Sequence, residues 1–274
     1  MSQACRVCGG SSAPRGTGLL GCSACGLAWR EEPYFGKPAY SAGSEPAIYR
    51  SGKEKLFSEG LSRLERSLPR KGRLLDVGCA GGELLKAASA RGWRGEGVEI
   101  DAALARGASA AGFTVHAEPV ENAGLEKEAY DAATVFEVFS QMADPAAAAA
   151  ALSAVLKPGG VIYIREFNAA FHLLLHRLEL AGLFKPFGAS PAVIHNFNFG
   201  ARSLKALLER AGFREVRIRN SRPTAGDPYR TGGRLGGFLT AGLKVLYYTL
   251  AEALYYLSFG RVLAGSSLIA VARK

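Results

Sequence analysis

Cys5-x-x-Cys8 and Cys22-x-x-Cys25 place four thiols in the first 25 residues, and the thirteen residues between the pairs include Gly9, Gly10, Gly16, Gly18 and Gly21. Two such knuckles can present four thiolates tetrahedrally, which suits structural zinc. A closed four-sulfur shell leaves no position for a substrate, so the metal's expected role is in folding and not in chemistry. Disulfide pairing is the alternative. The N-terminal MSQACRVCGG shows no apolar signal region, so the expectation is a cytoplasmic chain with reduced thiols.

A second group able to do chemistry spans residues 73–100. An apolar strand, Arg73–Val77, feeds Gly78-Cys79-Ala80-Gly81-Gly82; a helix Glu83–Ala90 follows, and a second strand, Gly95–Ile100, carries Glu99 near its carboxyl end. Small residues let a turn pass close to a ligand, and an acid at the end of the next strand can accept hydrogen bonds from ribose hydroxyls. This is the layout of a nucleoside-binding half of a doubly wound α/β fold. A dinucleotide G-x-G-x-x-G would need glycines at 78, 80 and 83, where the chain has Gly78, Ala80 and Glu83. Cys79 needs only to be small.

A chain of 274 residues, 48% of them hydrophobic, can build one large domain and a small appendage, and a net charge of +10 favours anionic partners. Asp76, Gly78, Ala80 and Gly82 occupy the places of D/E-x-G-x-G-x-G, and with them the chain resembles the class I S-adenosylmethionine-dependent methyltransferases, alanine replacing the middle glycine. YDAATVFEV at 130–138 resembles the family's fourth strand, LKPGGVIYI at 156–164 its turn into the fifth, SLKALLERAGF at 203–213 the helix before the sixth, and Arg214–Asn220 that strand. The resemblance covers about residues 72–220 and the final strand from Ser267. It implies an α/β fold with a Rossmann-like seven-stranded sheet, a small N-terminal zinc ribbon and a helical insertion before the last strand. The expected organisation is a ribbon at 1–30, a linker and helix at 31–70, and the methyltransferase domain at 71–274, with an acceptor-pocket insertion at 168–200 and an apolar one at 232–262. The ribbon itself resembles those preceding methyltransferase domains in enzymes acting on sugars and secondary metabolites.

The same resemblance implies S-adenosylmethionine as cofactor. Asp76 and Gly78 would lie near its amino group, with Cys79, Ala80 and Gly82 in the turn, Glu99 on the ribose and Ile100 against the adenine. Phe136 and Glu137 would face the sulfonium and the acceptor. The usual Gly-Asp pair near the base is replaced by Glu118-Pro119, leaving Ala117, Glu118 and Val120 as candidates for the base contact. Methyl transfer needs an aligned nucleophile and a proton acceptor. Gln141 stands where the family often has a histidine and cannot be that base, so His195, in HNFNF, becomes the candidate base or anchor, its aromatic neighbours suiting an apolar acceptor. His172 and His176 share a helical face, but no acid clearly completes a metal site, so they read as surface or packing residues. Tyr34, Tyr40 and Tyr49 lie in the linker, where they would pack it down or line the site.

Residues 235–260 are nearly all apolar, interrupted by Lys244 and Glu252. A single membrane crossing is excluded if the strands on either side pair in one sheet, and each charge would cost about 2.5–3.5 kcal/mol in a bilayer. A lid, a dimer contact, a buried cap helix and an interfacial helix touching lipid remain, the last suited by Tyr247, Tyr248, Tyr255 and Tyr256. The resulting expectation is methyl transfer to a small-molecule, glycan or lipid-linked acceptor, with peripheral contact at the inner membrane face. An RNA base methyltransferase is the first alternative, favoured by the ribbon and basic charge but lacking an N/D-P-P-Y/F string or catalytic cysteine motif. A non-catalytic cofactor-binding scaffold is the second, motivated by Gln141 and Pro119. Oligomeric state is not legible.

Overall fold

The computed structural model describes residues 3–34, 53–187, 191–223 and 234–274. Tyr40 and Tyr49 lie outside the described residues.

The larger sheet has seven strands: β4 (Arg73–Val77), β5 (Arg94–Val98), β6 (Thr114–His116), β7 (Tyr130–Phe136), β8 (Leu156–Phe167), β10 (Arg214–Asn220) and β11 (Ser267–Arg273), in the order β10-β11-β8-β7-β4-β5-β6. The β4–β5, β4–β7, β5–β6 and β7–β8 pairs are parallel, while β11 runs antiparallel to both β8 and β10. Leu74 and Leu75 of β4 and Ile162 and Ile164 of β8 are buried, as expected of strands covered on both faces. The chain runs from β4 outward to β5 and β6, then returns to β7 on the other side of β4. That reversal opens a crevice beyond the carboxyl ends of β4 and β7.

Helices cover the sheet: α1 (Glu54–Ser67), α2 (Glu83–Ala90), α3 (Ala102–Ala110), α4 (Pro145–Val155), α5 (Ala169–Leu180), α6 (Ala201–Arg210) and α7 (Arg234–Leu257). Their starts follow from local chemistry. Asp101 accepts from Ala103 N and Leu104 N at the head of α3, and Asp144 accepts from Ala146 N and Ala147 N at the head of α4, where Pro145 has no N–H to lose. Helix α1 buries Leu56, Gly60, Leu61 and Leu64, a 3.6-period stripe.

The expected strand bounds hold at β4 and β10. β5 ends at Val98, earlier than expected, because Glu99 turns its carboxylate back onto the chain. The sixth-strand helix begins at Ala201, where Ser203 Oγ accepts from Gly200 N and closes the first turn.

The N-terminal ribbon is β1 (Ser12–Gly16), β2 (Leu19–Cys22) and β3 (Ala28–Arg30), and its fourth strand comes from the far end of the sequence: β9 (Phe197–Asn198) pairs with β3. The two parts share one apolar core, in which Leu27 and Trp29 join Phe197, Phe199 and Leu204. Polar ties reinforce it. Arg30 Nη2 donates to Ile194 O at 3.0 Å, Arg202 Nη2 to Ala24 O at 2.6 Å and Arg6 Nη1 to Ala143 O at 3.0 Å. Asn196 accepts from Tyr34 N and donates to Tyr34 O. Phe197 and Phe199 are therefore core residues and not part of an apolar acceptor pocket, a correction to the reading of HNFNF: on a strand that docks the ribbon, aromatics go inward.

Candidate active site

The glycine turn is bound to its own sheet. Gly78 N donates to Val98 O at 2.8 Å and Cys79 N to the same oxygen at 3.2 Å, which draws the turn over β5. Gly78 has φ +74°, and a Cβ there would lie 2.4 Å from Val138 Cγ2. Gly82, with φ +86°, caps α2, and its Cβ would approach Phe113 at 3.1 Å. Ala80 adopts φ +45° despite its side chain, so the position of the family's middle glycine keeps its left-handed conformation.

Glu99, expected on the ribose, makes two bonds within the protein. Its Oε2 accepts from Ala80 N at 3.0 Å and its Oε1 from Asp101 N at 2.9 Å. The carboxylate thus ties the turn to the strand that ends beside it, while each oxygen keeps a second lone pair for a ligand hydroxyl. Burial raises its pKa. Asp76 is buried and accepts from Thr134 Oγ1 at 2.7 Å; burial first, with the neighbouring charges of Glu99 and Glu83, pushes its carboxyl up to about 7. A bound ammonium group would return it to the ionised form. Ile100 is 72% exposed and free to lie against a flat apolar ring. Of the three candidates after β6, Val120 is buried in the core while Ala117 and Glu118 are exposed, so Val120 is withdrawn from the crevice. Cys79 is buried, its thiol pushed upward by burial, and it packs against Gly97.

Across the crevice, the residue packed on Gly78 is Val138, which comes just after Glu137, itself the first residue beyond β7, at φ +62°. The Glu137 carboxylate forms ion pairs with Lys53 Nζ at 2.9 Å and with Arg165 Nη1. Gln141 Nε2 donates to Glu137 O at 3.2 Å, so the residue that replaces a histidine braces this bend. Arg165 is buried and also donates to Ser221 Oγ, Ser267 Oγ and Arg222 O. Burial lowers its pKa to about 10, which leaves it cationic at neutral pH. Burial, then Arg165, lowers Lys53 to about 8, and the paired carboxylate favours its ammonium form. Glu166, fully buried beside Ser140 N, is pushed up to about 7 by burial. Two cations therefore face the Glu137 carboxylate, with Glu166, its proton affinity raised by burial, close by. Sequence reading missed Lys53, Arg165 and Glu166. The signal was a charged pair closing the otherwise apolar VIYIREF strand.

Phe136 sits in an aromatic row, 5.1 Å from Phe57 and 5.3 Å from Tyr163 between ring centroids, and anchors α1 over the strand ends. His195 lies 5.4 Å from the Phe167 ring, its N–H donates to Asn198 Oδ1, and burial lowers its pKa to about 4. Its Nε2 is buried without a hydrogen-bond partner among the described residues. His172 is a packing residue: Nδ1 accepts from Val193 N and Nε2 meets Ser266 O at 3.1 Å. His176 Nδ1 is 3.5 Å from Glu179. Tyr34 is 59% exposed at the ribbon edge.

The four ribbon cysteines converge so that all four sulfurs lie within 4.8 Å of one another. Cys5 and Cys25 Sγ are 3.6 Å apart and Cys8 and Cys22 Sγ 3.4 Å; none is disulfide-bonded. Sulfurs about 2.3 Å from a tetrahedral metal lie about 3.8 Å from one another, so this donor set fits a zinc ion. Burial pushes the Cys5 and Cys25 thiols up, and a dication would be needed to ionise them. Among the described residues no other group of three or more His, Cys, Asp or Glu side chains is placed to hold a metal.

A sheet reversed at a glycine turn, an acid closing that turn and a single antiparallel strand next to the edge define the class I S-adenosylmethionine-dependent methyltransferase fold. The chain belongs to that family: residues 49–218, more than half of it, match the family described as a methyltransferase domain. A ubiquinone biosynthesis O-methyltransferase of Saccharophagus degradans is 33% identical over 113 residues, 38% of this chain and 47% of that protein. One from Xanthomonas campestris is 30% identical over 126 residues, 42% and 53% of the two. The chain spans about half the length of these curated relatives. A SAM-dependent methyltransferase from Archaeoglobus fulgidus shares the fold with a TM-score of 0.56 at 19% identity, over 84% of this chain and 98% of that one.

Proposed function

We propose that this protein transfers the methyl group of S-adenosylmethionine to an oxygen of a small, largely apolar acceptor bound at the carboxyl ends of β7 and β8. The observation that carries the reading is Glu137, bent at the end of β7, joined to the cofactor turn through Val138 and Gly78, and held between Lys53 and Arg165. The names of the curated relatives, O-methyltransferases of ubiquinone biosynthesis, support an oxygen nucleophile on a greasy molecule.

In this reading the turn from Asp76 to Gly82 holds the amino-acid end of the cofactor, Glu99 the ribose and Ile100 the adenine face. S-adenosylmethionine supplies an electrophilic methyl. The acceptor hydroxyl approaches in line with the carbon–sulfur bond, its proton passes to Glu137, and Lys53 and Arg165 stabilise the oxyanion in a site that water reaches poorly. The methyl carbon gains a bond to oxygen as its bond to sulfur breaks, and the sulfur leaves neutral. Cys5, Cys8, Cys22 and Cys25 would hold a zinc ion, which would keep the ribbon folded and β9 in place without entering the transfer.

The test is production of S-adenosylhomocysteine from a panel of phenolic, catecholic and aliphatic hydroxyl acceptors, with amines and RNA as controls. Turnover on hydroxyl acceptors that disappears in Glu137→Gln, with cofactor affinity retained, is the expected result. Turnover confined to amines or RNA would overturn the oxygen reading.

A further inference from the structure

Helix α7 leaves β10 and returns to β11, its neighbour in the sheet. Its two sides differ sharply. Ala251 is buried and its carbonyl accepts from Asn220 Nδ2, while the Tyr247 ring packs on Phe171 of α5 at 5.0 Å. The other side carries Leu246, Leu250, Leu254 and Leu257, recurring every three or four residues, together with Val245 and, just past the helix, Phe259. Their exposures run from 48% to 93%. On α5, Leu174 and Leu180 are exposed as well. No described helix is long and apolar enough to cross a membrane, and both ends of α7 enter the same sheet.

The exposed charge beside this helix is mostly basic, with Glu215 exposed on β10 and Glu59 of α1 acting on Tyr248. Arg219 lies over the Tyr255 ring at 5.8 Å, Arg217 is exposed on the same side of β10, and exposed Arg261 follows Phe259. The acid on the helix, Glu252, is half-buried next to Tyr248, away from the leucines. A two-fold contact between copies would bring these arginine rims together. A sheet of anionic headgroups over acyl chains complements both the cations and the leucines.

We propose that the exposed face of α7 docks on an anionic lipid surface, lying in its plane with Leu246, Leu250, Leu254, Leu257 and Phe259 below the headgroups and Arg217, Arg219 and Arg261 among them. The docked face adjoins the acceptor end of the site. Arg165, which holds Glu137, donates to Ser221 and to the Arg222 carbonyl, and the Arg222 side chain reaches Tyr248 of α7. Docking therefore brings the site to the bilayer, where an apolar acceptor would reside. Only this last step rests on the proposed function; the docking stands on the surface itself.

The experiment is flotation of the zinc-replete full chain with vesicles of phosphatidylcholine alone and of an equimolar mixture with phosphatidylglycerol, with calorimetric binding of S-adenosylmethionine as the fold control. The native chain should float with the mixed vesicles, and less so as salt rises. Leu250→Gln with Leu254→Gln should weaken partitioning on the order of tenfold or more. Arg217→Gln with Arg261→Gln should weaken it about fivefold per arginine on anionic vesicles only. All variants should keep native cofactor affinity. Absence of flotation by the native chain, or leucine variants that float as it does, would overturn the proposal; a native dimer that the leucine substitutions convert to monomer would assign the face to a second copy. Flotation without turnover of any hydroxyl acceptor would leave the docking in place and remove the proposed reaction.

Discussion

The two halves of the crevice are built differently. On the β4–β6 side most acid pairs are local, Glu99 with Ala80 N and Asp101 N and Asp101 with the head of α3, while Asp76 reaches across to Thr134 of β7. On the β7–β8 side, groups converge from distant parts of the chain, Lys53 from the start of α1, Glu137 from just after β7, Arg165 from β8 and Ser221 from beyond β10. His195 Nε2 is on this second side, buried and without a hydrogen-bond partner among the described residues. On the proposed function, the first half would hold the cofactor largely with one stretch of backbone, and the second, assembled from many segments, would choose the acceptor.

Metal removal should break this contrast most visibly. Structural zinc in small sites contributes apparent binding of about 10–16 kcal/mol, so chelation or Cys22→Ser should melt the ribbon and release β9 from β3. Trp29, buried and paired with Phe197, would report the loss as a red shift and drop in fluorescence. Cofactor affinity should change by less than about threefold, because the turn at 78–82 is held by its own bonds to Val98 O and Glu99, while turnover collapses. Equal loss of both would show that the halves are one cooperative unit.

Glu137→Gln should lower kcat by about 10²–10⁴ with cofactor Kd unchanged, as expected for a proton acceptor. His195→Gln sharpens the comparison. With a pKa near 4 and a ring stacked on Phe167, His195 is neutral near pH 7, and its replacement should cost less than about tenfold. A larger loss for His195 than for Glu137 would exchange their roles.

Asp76→Asn should act on the first half alone. Its carboxyl, raised from 3.8 to about 7 by burial in the free protein, must ionise to meet the cofactor's ammonium. Affinity for S-adenosylmethionine should therefore fall as pH drops below about 7, by up to tenfold per unit, and the substitution should remove that dependence along with most of the affinity. The sign for stability is opposite. An acid whose folded pKa is raised favours the folded state below its ordinary pKa, and that contribution is lost as pH rises through 3.8 to about 7. Asp76→Asn should thus stabilise the free protein at neutral pH by about 1–3 kcal/mol, measured by urea unfolding. Destabilisation instead would mean that the Thr134 bond outweighs the buried charge.

The same asymmetry governs what sequence alone could disclose. The glycine turn, the acid after β5 and the two cysteine knuckles were readable because each depends on contiguous backbone and fixed spacing. Lys53, Arg165 and Glu166 were not, since their meaning arises from strand order and burial, which only the assembled sheet supplies. HNFNF misled for a related reason. Aromatic residues beside a histidine look the same whether they line a pocket or dock a ribbon, and the partner strand β3 lies about 170 residues away.

Ala80→Gly offers the smallest effect and tests whether the cofactor half is as self-contained as it looks. Ala80 is held at φ +45°, a conformation that costs an L-residue about 1–2 kcal/mol and glycine almost nothing. Against that relief stands the greater freedom glycine gives the unfolded chain, about 0.4–1 kcal/mol. The net change in stability should be within about 1 kcal/mol and favourable, and cofactor affinity should hold or improve, since Ala80 N keeps its bond to Glu99. Calorimetric titration beside thermal unfolding separates the two effects. A loss of affinity with unchanged stability would mean that the alanine methyl itself touches the cofactor, and that the departure from glycine is part of how this turn grips its ligand.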